Sequence, residues 1–426
     1  VEVGLTASEI VQAIATGKTT AEAVARACLA HIAEREPQVE AWQFLDPDLV
    51  LKQACALDAG GKVGPLQGVP VGIKDIIDTA DMPTEYGTPI HKGHRPRIDA
   101  VVVALTRRAG GIIMGKTVTT EFANRHPGKT HHPQDHTRTP GGSSSGSAAA
   151  VGDHMVPLAV GTQTTGSTIR PAAFCGCVGY RPTWGDIRCY GVMEAAGSVD
   201  TVGLIARSVE DIALYRDVLL GTTPQPLAAK IIDAPRIGFC RTPFWDQCEA
   251  TTQKSLEACA AKLAKAGAKV SDVTLPETFN RIEDAHRWVS SFEFARNRSW
   301  EIDHHYQMIS ETLRNNRLKD GLACSFDQYR ESRSFLARVR RTMHDVFKDF
   351  DVLLVPAASG EAPVGLNATG NASHCLIGTS THVPCITLPL FTGPNGLPVG
   401  AQLMAARNHD RMLLEVARWV VAKGGE

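Results

Sequence analysis

Residues 139–177 read TPGGSSSGSAAAVGDHMVPLAVGTQTTGSTIRPAAFCGC. Glycine and hydroxyl side chains crowd two turns, the first at Gly141, Gly142, Ser143, Ser144, Ser145, Gly146 and Ser147, the second at Thr164, Thr165, Gly166 and Ser167. Between them, residues 148–160 are small and mostly apolar, so two hydroxyl-rich turns are bridged by a segment able to bury itself. This layout suits a serine-based active site set on a buried framework.

Outward from this stretch, short apolar runs punctuated by Gly and Pro predict buried strands at 69–74, 101–105, 112–116, 236–240, 352–355, 385–390 and 399–404. Helix-compatible stretches alternate with them at 211–220, 252–266 and much of 279–350. The pattern predicts an α/β protein, a large mixed sheet sandwiched between helices. Two helices should precede it. Thr6 with Glu9 has capping-box spacing and Gly17 can close the first helix, while Thr19 with Glu22 repeats the device for a second that ends at Pro37. A last amphipathic helix carries Met412, Leu413, Val416, Ala417 and Val420, with Asn408 and Asp410 as caps. One domain over 1–426 is expected, with its core at 63–220 and 350–426, N-terminal helices at 6–36 and a variable helical cover at 228–349.

The composition excludes several classes. Hydrophobic residues are 43% and charged residues 21% of 426, ordinary for a globular chain, and the formal net charge is −1. No basic excess favours nucleic acid or an anionic membrane as partner. No apolar run approaches the ~18 residues of a membrane span. The start, VEVGLTASEI, shows neither the basic nor the apolar part of a signal peptide, although the chain does not open on Met and a removed leader stays open. Eleven scattered cysteines predict reduced, buried thiols in a cytoplasmic protein.

Three features share one chemical explanation: Lys74 ending the apolar run GVPVGIK, Ser143 after Gly141 and Gly142, and Ser167 after Thr165 and Gly166. Desolvation at a strand end favours neutral lysine, which is a base, and a serine hydroxyl needs a base to become a nucleophile near neutral pH.

With GIKD at 72–75, PGGSSSGSAAAVG at 140–152, GTQTTGSTIRPAAFCG at 161–176 and GLPVGAQLM at 396–404, the chain resembles the amidase signature family over most of its length. Gln163 and the following STIRPAA look most like malonamidase and its bacterial relatives. The resemblance implies Ser167 as nucleophile, Ser143 as a bridging residue held by a cis peptide, and Lys74 as base. It further implies backbone N–H groups of Thr164, Thr165, Gly166 and Ser167 as an oxyanion hole, with no cofactor and no metal. Position 165 departs from the family, where glycine is common; a β-branched Thr165 tolerates positive φ poorly, which predicts a reshaped hole.

The implied activity is hydrolysis of a carbon–nitrogen bond in a small amide through an acyl-enzyme. Carbamate or aryl-acylamide hydrolysis, an amidotransferase subunit for charged transfer RNA and a noncatalytic binding protein are the alternatives, and a homodimer is open. Arg170 reads equally as a binder of substrate carboxylate and as a structural hydrogen-bond donor. Asp75 is placed as a holder of the backbone that follows it. His126, His131, His132 and His136 read as a polar loop rather than a zinc site, Cys175 and Cys177 as packing residues. Arg330, Arg333, Arg338, Arg340 and Arg341 read as a solvated helix face. Specificity is expected in the cover and in the loop 79–94.

Overall fold

The computed structural model describes residues 3–60, 64–228 and 234–425; positions 63, 229–233 and 426, which the expected core and cover include, lie outside the described residues. Strands β1 (Trp42–Leu45), β2 (Pro70–Lys74), β3 (Ile112–Thr117), β4 (Leu158–Gln163), β5 (Val178–Arg181), β6 (Thr201–Ala206), β7 (Arg236–Cys240), β8 (Lys269–Val273), β9 (Val352–Pro356), β10 (Cys385–Thr392) and β11 (Pro398–Ala405) join in one sheet. Their order is β1-β3-β2-β4-β6-β5-β10-β11-β9-β7-β8. The sheet is mixed. β2 runs parallel to both β3 and β4, whereas β6 and β5, then β10 and β11, pair antiparallel. β2, β3, β4 and β6 are buried along their whole length, which is why they read as continuous apolar runs rather than alternating ones.

Residues 101–105 are not a strand. They open the helix Val101–Arg108, which buries Val102, Val103 and Thr106 on one face. The topology overrides the β-branched composition, because parallel β2 and β3 require a crossover and this helix lies on it. Thr106 Oγ1 bonds back to Val102 O at 2.7 Å, and Arg107 anchors the far end on Asp81 and Asp99.

The first helix, Ala7–Ala15, has the expected Thr6–Glu9 capping box, and Gly17 follows with φ +71°. The second begins one residue late. Its cap is Thr20, and Asp58 accepts the N–H groups of Ala21 at 2.8 Å and Glu22 at 2.9 Å, so a carboxylate distant in sequence does the work expected of Thr19 and Glu22. It also runs through Pro37 to Val39, since one missing N–H costs little in a last turn closed by left-handed Glu40. At the other end, Asp410 does not cap its helix Asp410–Gly424; it is buried and accepts from the Tyr180 hydroxyl and from Thr183 N and Oγ1.

The helical cover is narrower than 228–349. Residues 236–273 give β7, β8 and the helix Ala250–Lys265 to the sheet, and the helices Ile282–Asn297 and Phe326–Val346 form the cover proper. On the latter, Arg330, Arg333, Arg338 and Arg341 are exposed, but Arg340 turns inward and donates Nε to Ser380 O at 2.9 Å. No helix among the described residues is long and apolar enough to cross a membrane.

Candidate active site

β2 and β4 are adjacent and parallel, so Lys74 at the end of one lies beside the turn that leaves the other. Such strand ends are where open α/β sheets place their ligands. Lys74 has no exposed surface, and burial pushes its amine well below the ordinary lysine range, with Asp200 opposing more weakly. Its Nζ bonds three hydroxyls: Ser143 Oγ at 2.7 Å, Thr162 Oγ1 at 2.8 Å and Ser144 Oγ at 3.1 Å. Hydroxyls both donate and accept, so this shell satisfies a neutral amine.

Lys116, on the neighbouring strand β3, shows the contrast. It too is wholly buried, but it is paired with Asp75 at 3.2 Å. Asp75 also accepts Glu85 N at 3.1 Å, holding the backbone beyond the site, and burial raises its carboxyl to about 6. One buried lysine is matched by a carboxylate; among the described residues Lys74 is matched by hydroxyls alone.

The Gly142–Ser143 peptide is cis. Gly141 takes φ +84°, and a side chain there would meet Pro171 Cα at 2.9 Å, so the turn needs glycine on both counts. Behind it, Ser145–Gly152 forms a buried helix, and Ser144 N donates to Ser167 O at 3.2 Å, tying the first turn to the second. The Ser143 and Ser167 hydroxyls share no hydrogen bond in the structure but border the same cavity. Hydrogen bonds between reacting groups often close only around substrate.

Gln163 shapes the second turn. Its Oε1 accepts the N–H groups of Thr168 and Ile169, each at 3.0 Å, and so binds the start of the helix Ile169–Phe174. The amides of Thr165, Gly166 and Ser167 take no partner among the described residues. Gly166 packs so tightly that a Cβ would lie 2.9 Å from Cys375 Sγ. Thr165 is not among the residues with positive φ, so the strain expected of a β-branched side chain does not arise. Its hydroxyl bonds His286 Nε2 at 3.0 Å instead, and its carbonyl accepts from Thr379 Oγ1 at 2.7 Å.

A cavity of about 380 Å³ opens over these groups. Ser143, Thr164, Thr165, Gly166 and Ser167 form one wall, and the charged side chains around it are Arg125, Arg170 and Arg317. Arg170 donates to Gly142 O at 2.5 Å, Gly370 O at 2.8 Å and Thr369 Oγ1 at 3.2 Å, leaving Nε without a partner among the described residues. The side chains of Arg125 and Arg317 make no hydrogen bond or ion pair among the described residues. Burial, with Arg125 adding to it, lowers the Arg317 guanidinium to about 10. Arg317 sits in a π-helical segment, Arg314–Leu318, a rare form that often marks functional positions.

Sequence reasoning misses Arg317, His286 and Asp200. Asp200 is partly buried, accepts Thr164 Oγ1 at 2.6 Å and the N–H groups of Ala195 and Ala196 at 2.8 Å, and is raised to about 6 by desolvation. No short motif contains these residues, and only the folded chain brings them to the site.

Among the described residues no three His, Cys, Asp or Glu are arranged to hold a metal. His132 Nε2 donates to Phe174 O at 2.8 Å and His131 Nδ1 to His136 O at 2.7 Å, so both serve as loop braces. All eleven cysteines are free; Cys175 and Cys177 are buried, and burial pushes the Cys177 thiol up to about 12.

The amidase family model matches residues 23–414. The chain is 32% identical to the A subunit of the glutamyl-tRNA(Gln) amidotransferase of Chloroflexus aurantiacus, over 97% of this chain and 95% of that one. Among solved structures, one described as an amidase superposes with a TM-score of 0.91 at 26% identity, covering 98% of this chain and 99% of that chain. The peptide amidase of Stenotrophomonas maltophilia gives 0.83 at 27% identity, covering 98% and 96%.

Proposed function

The chain belongs to the amidase signature family, and we propose that it hydrolyses the carbon–nitrogen bond of a small amide with Ser167 as nucleophile, Ser143 as relay and Lys74 as base. The observation that carries this reading is the wholly buried Lys74 amine bonded to Ser143 Oγ at 2.7 Å, with Ser143 and Ser167 on one cavity wall. Neutral Lys74 takes the Ser143 proton as Ser143 takes that of Ser167. Ser167 Oγ bonds to the carbonyl carbon, and the oxygen that gains the electron pair is held by amides of 164–167. Each such donor is worth roughly 3 kcal/mol in the transition state. The C–N bond then breaks, the amine leaves with a proton from Ser143, and water releases the acyl group by the same relay.

The cavity favours an amide that carries a negative charge. Among the described residues, the Arg125 and Arg317 side chains face it without partners and no acidic side chain lines it, whereas Arg170 is engaged with backbone carbonyls and braces the serine turn. A panel of a malonamate-like acid amide, a neutral aryl amide and an aryl carbamate tests the reading. Turnover of the acid amide, lost in Ser167→Ala, supports it; undiminished turnover in Ser167→Ala overturns it. Faster carbamate turnover moves the activity to urethane cleavage by the same relay.

A second reading is favoured by the near full-length similarity to the amidotransferase component. It makes this chain the amide-hydrolysing partner in a larger assembly. Gel filtration and assay of the isolated chain separate the two, since independent turnover at full rate opposes the assembly reading.

A further inference from the structure

We propose that His286 is a positioning residue for the oxyanion loop, anchoring Thr165 and through it the 164–167 amides. The inference rests on the reading of those amides as the anion-binding group. His286 lies on the helix Ile282–Asn297 of the cover, is buried, and bonds Thr165 Oγ1 through Nε2 at 3.0 Å and Ser380 Oγ through Nδ1 at 3.2 Å. A second line of contacts reaches the same residue. Gln163 Nε2 donates to Thr379 Oγ1 at 3.0 Å, and Thr379 Oγ1 donates to Thr165 O at 2.7 Å. Thr165 is thus held by hydroxyl and carbonyl at once, from the cover and from the helix Leu376–Thr381.

A neutral imidazole has one donor and one acceptor nitrogen, which two hydroxyls satisfy, and a charged one would have two donors. Burial and the neighbouring Arg317, Arg181 and Arg340 hold the ring down to about 3, so it keeps the neutral form across ordinary pH. A glycine at 165 offers no side-chain handle. Here the threonine hydroxyl gives the cover a grip on the loop, which accounts for both the departure at 165 and the histidine that meets it.

The test compares Thr165→Val, Thr165→Ser, His286→Ala and the double variant Thr165→Val/His286→Ala. Two readouts are the acylation burst with p-nitrophenyl acetate and amide exchange at Thr168, Ile169 and Arg170, which bond Gln163 Oε1 and Gly166 O. The valine and alanine variants should each lower the acylation rate about tenfold with little change in KM. The double should fall no further, because both remove one contact. Exchange at the three amides should rise in these variants, and Thr165→Ser should keep both properties near wild type. Additive losses, or Thr165→Val with wild-type acylation and exchange, overturn the proposal. A burst that survives in Ser167→Ala instead sinks the nucleophile assignment, and the exchange data still decide the anchoring role.

Discussion

Lys74 Nζ lies 2.7 Å from Ser143 Oγ, at the end of a strand that admits no solvent, and none of its hydrogen-bond partners is a carboxylate. A buried amine surrounded by hydroxyls binds its proton poorly. The proposed base is therefore prepared by the fold, before substrate arrives.

Replacing that amine should separate activity from stability. The unfolded chain protonates Lys74 up to the ordinary lysine pKa, while the folded chain gives up that proton at lower pH. Between the lowered folded value and the ordinary one, the unfolded state binds more protons, so this group's contribution to stability grows as pH rises through that window and is least favourable below it. Lys74→Met should abolish turnover yet leave Tm at neutral pH equal to wild type or roughly a few degrees higher. Differential scanning calorimetry beside the turnover assay checks this, and a large fall in Tm would count against a neutral lysine.

Asp200 supports the Lys74 proton electrostatically from behind Thr164. Asp200→Asn removes that support, so Lys74 becomes neutral at lower pH and the acid limb of kcat/KM should move toward acid. The wild-type Asp200 carboxyl is itself raised to about 6, so its contribution to stability is present below the ordinary aspartate range and lost as pH rises through about 6. A pH–rate profile measured on both proteins reads the shift, and a movement toward alkaline pH would contradict the assigned sign.

Arg317→Gln should raise KM for a malonamate-like amide about tenfold or more and leave the neutral aryl amide nearly unchanged. Charged hydrogen bonds of this kind are worth roughly 1.5–3 kcal/mol. Equal losses on both substrates would assign Arg317 to the framework instead.

Much of the candidate site is legible in the sequence because Lys74, Ser143 and Ser167 stand in short local motifs. Lys74, Ser143 and Ser167 each end a strand or occupy a Gly-rich turn, and the adjacency of β2 and β4 brings them together. Buried parallel strands also leave plain apolar runs. Residues 101–105 carry the same signature yet form a helix, because the crossover between β2 and β3 decides their state and that is a property of the topology. His286 and Arg317 are illegible for a related reason. His286 comes from the cover helix Ile282–Asn297 and Arg317 from the segment Arg314–Leu318 between the two cover helices, where one His and one Arg look like their exposed neighbours until the chain's orientation is known. Thr165 stands out in the sequence, but the strain expected of it is absent, because neither its φ nor its partner is encoded nearby.

Denaturing mass spectrometry of the quenched enzyme tests the central assignment most directly. A slowly turned-over acid amide should leave the mass of its acyl half on the peptide containing Ser167, with no adduct in Ser167→Ala and much slower formation in Ser143→Ala and Lys74→Met. An adduct on any other residue, or turnover in Ser167→Ala at the wild-type rate, would contradict the account.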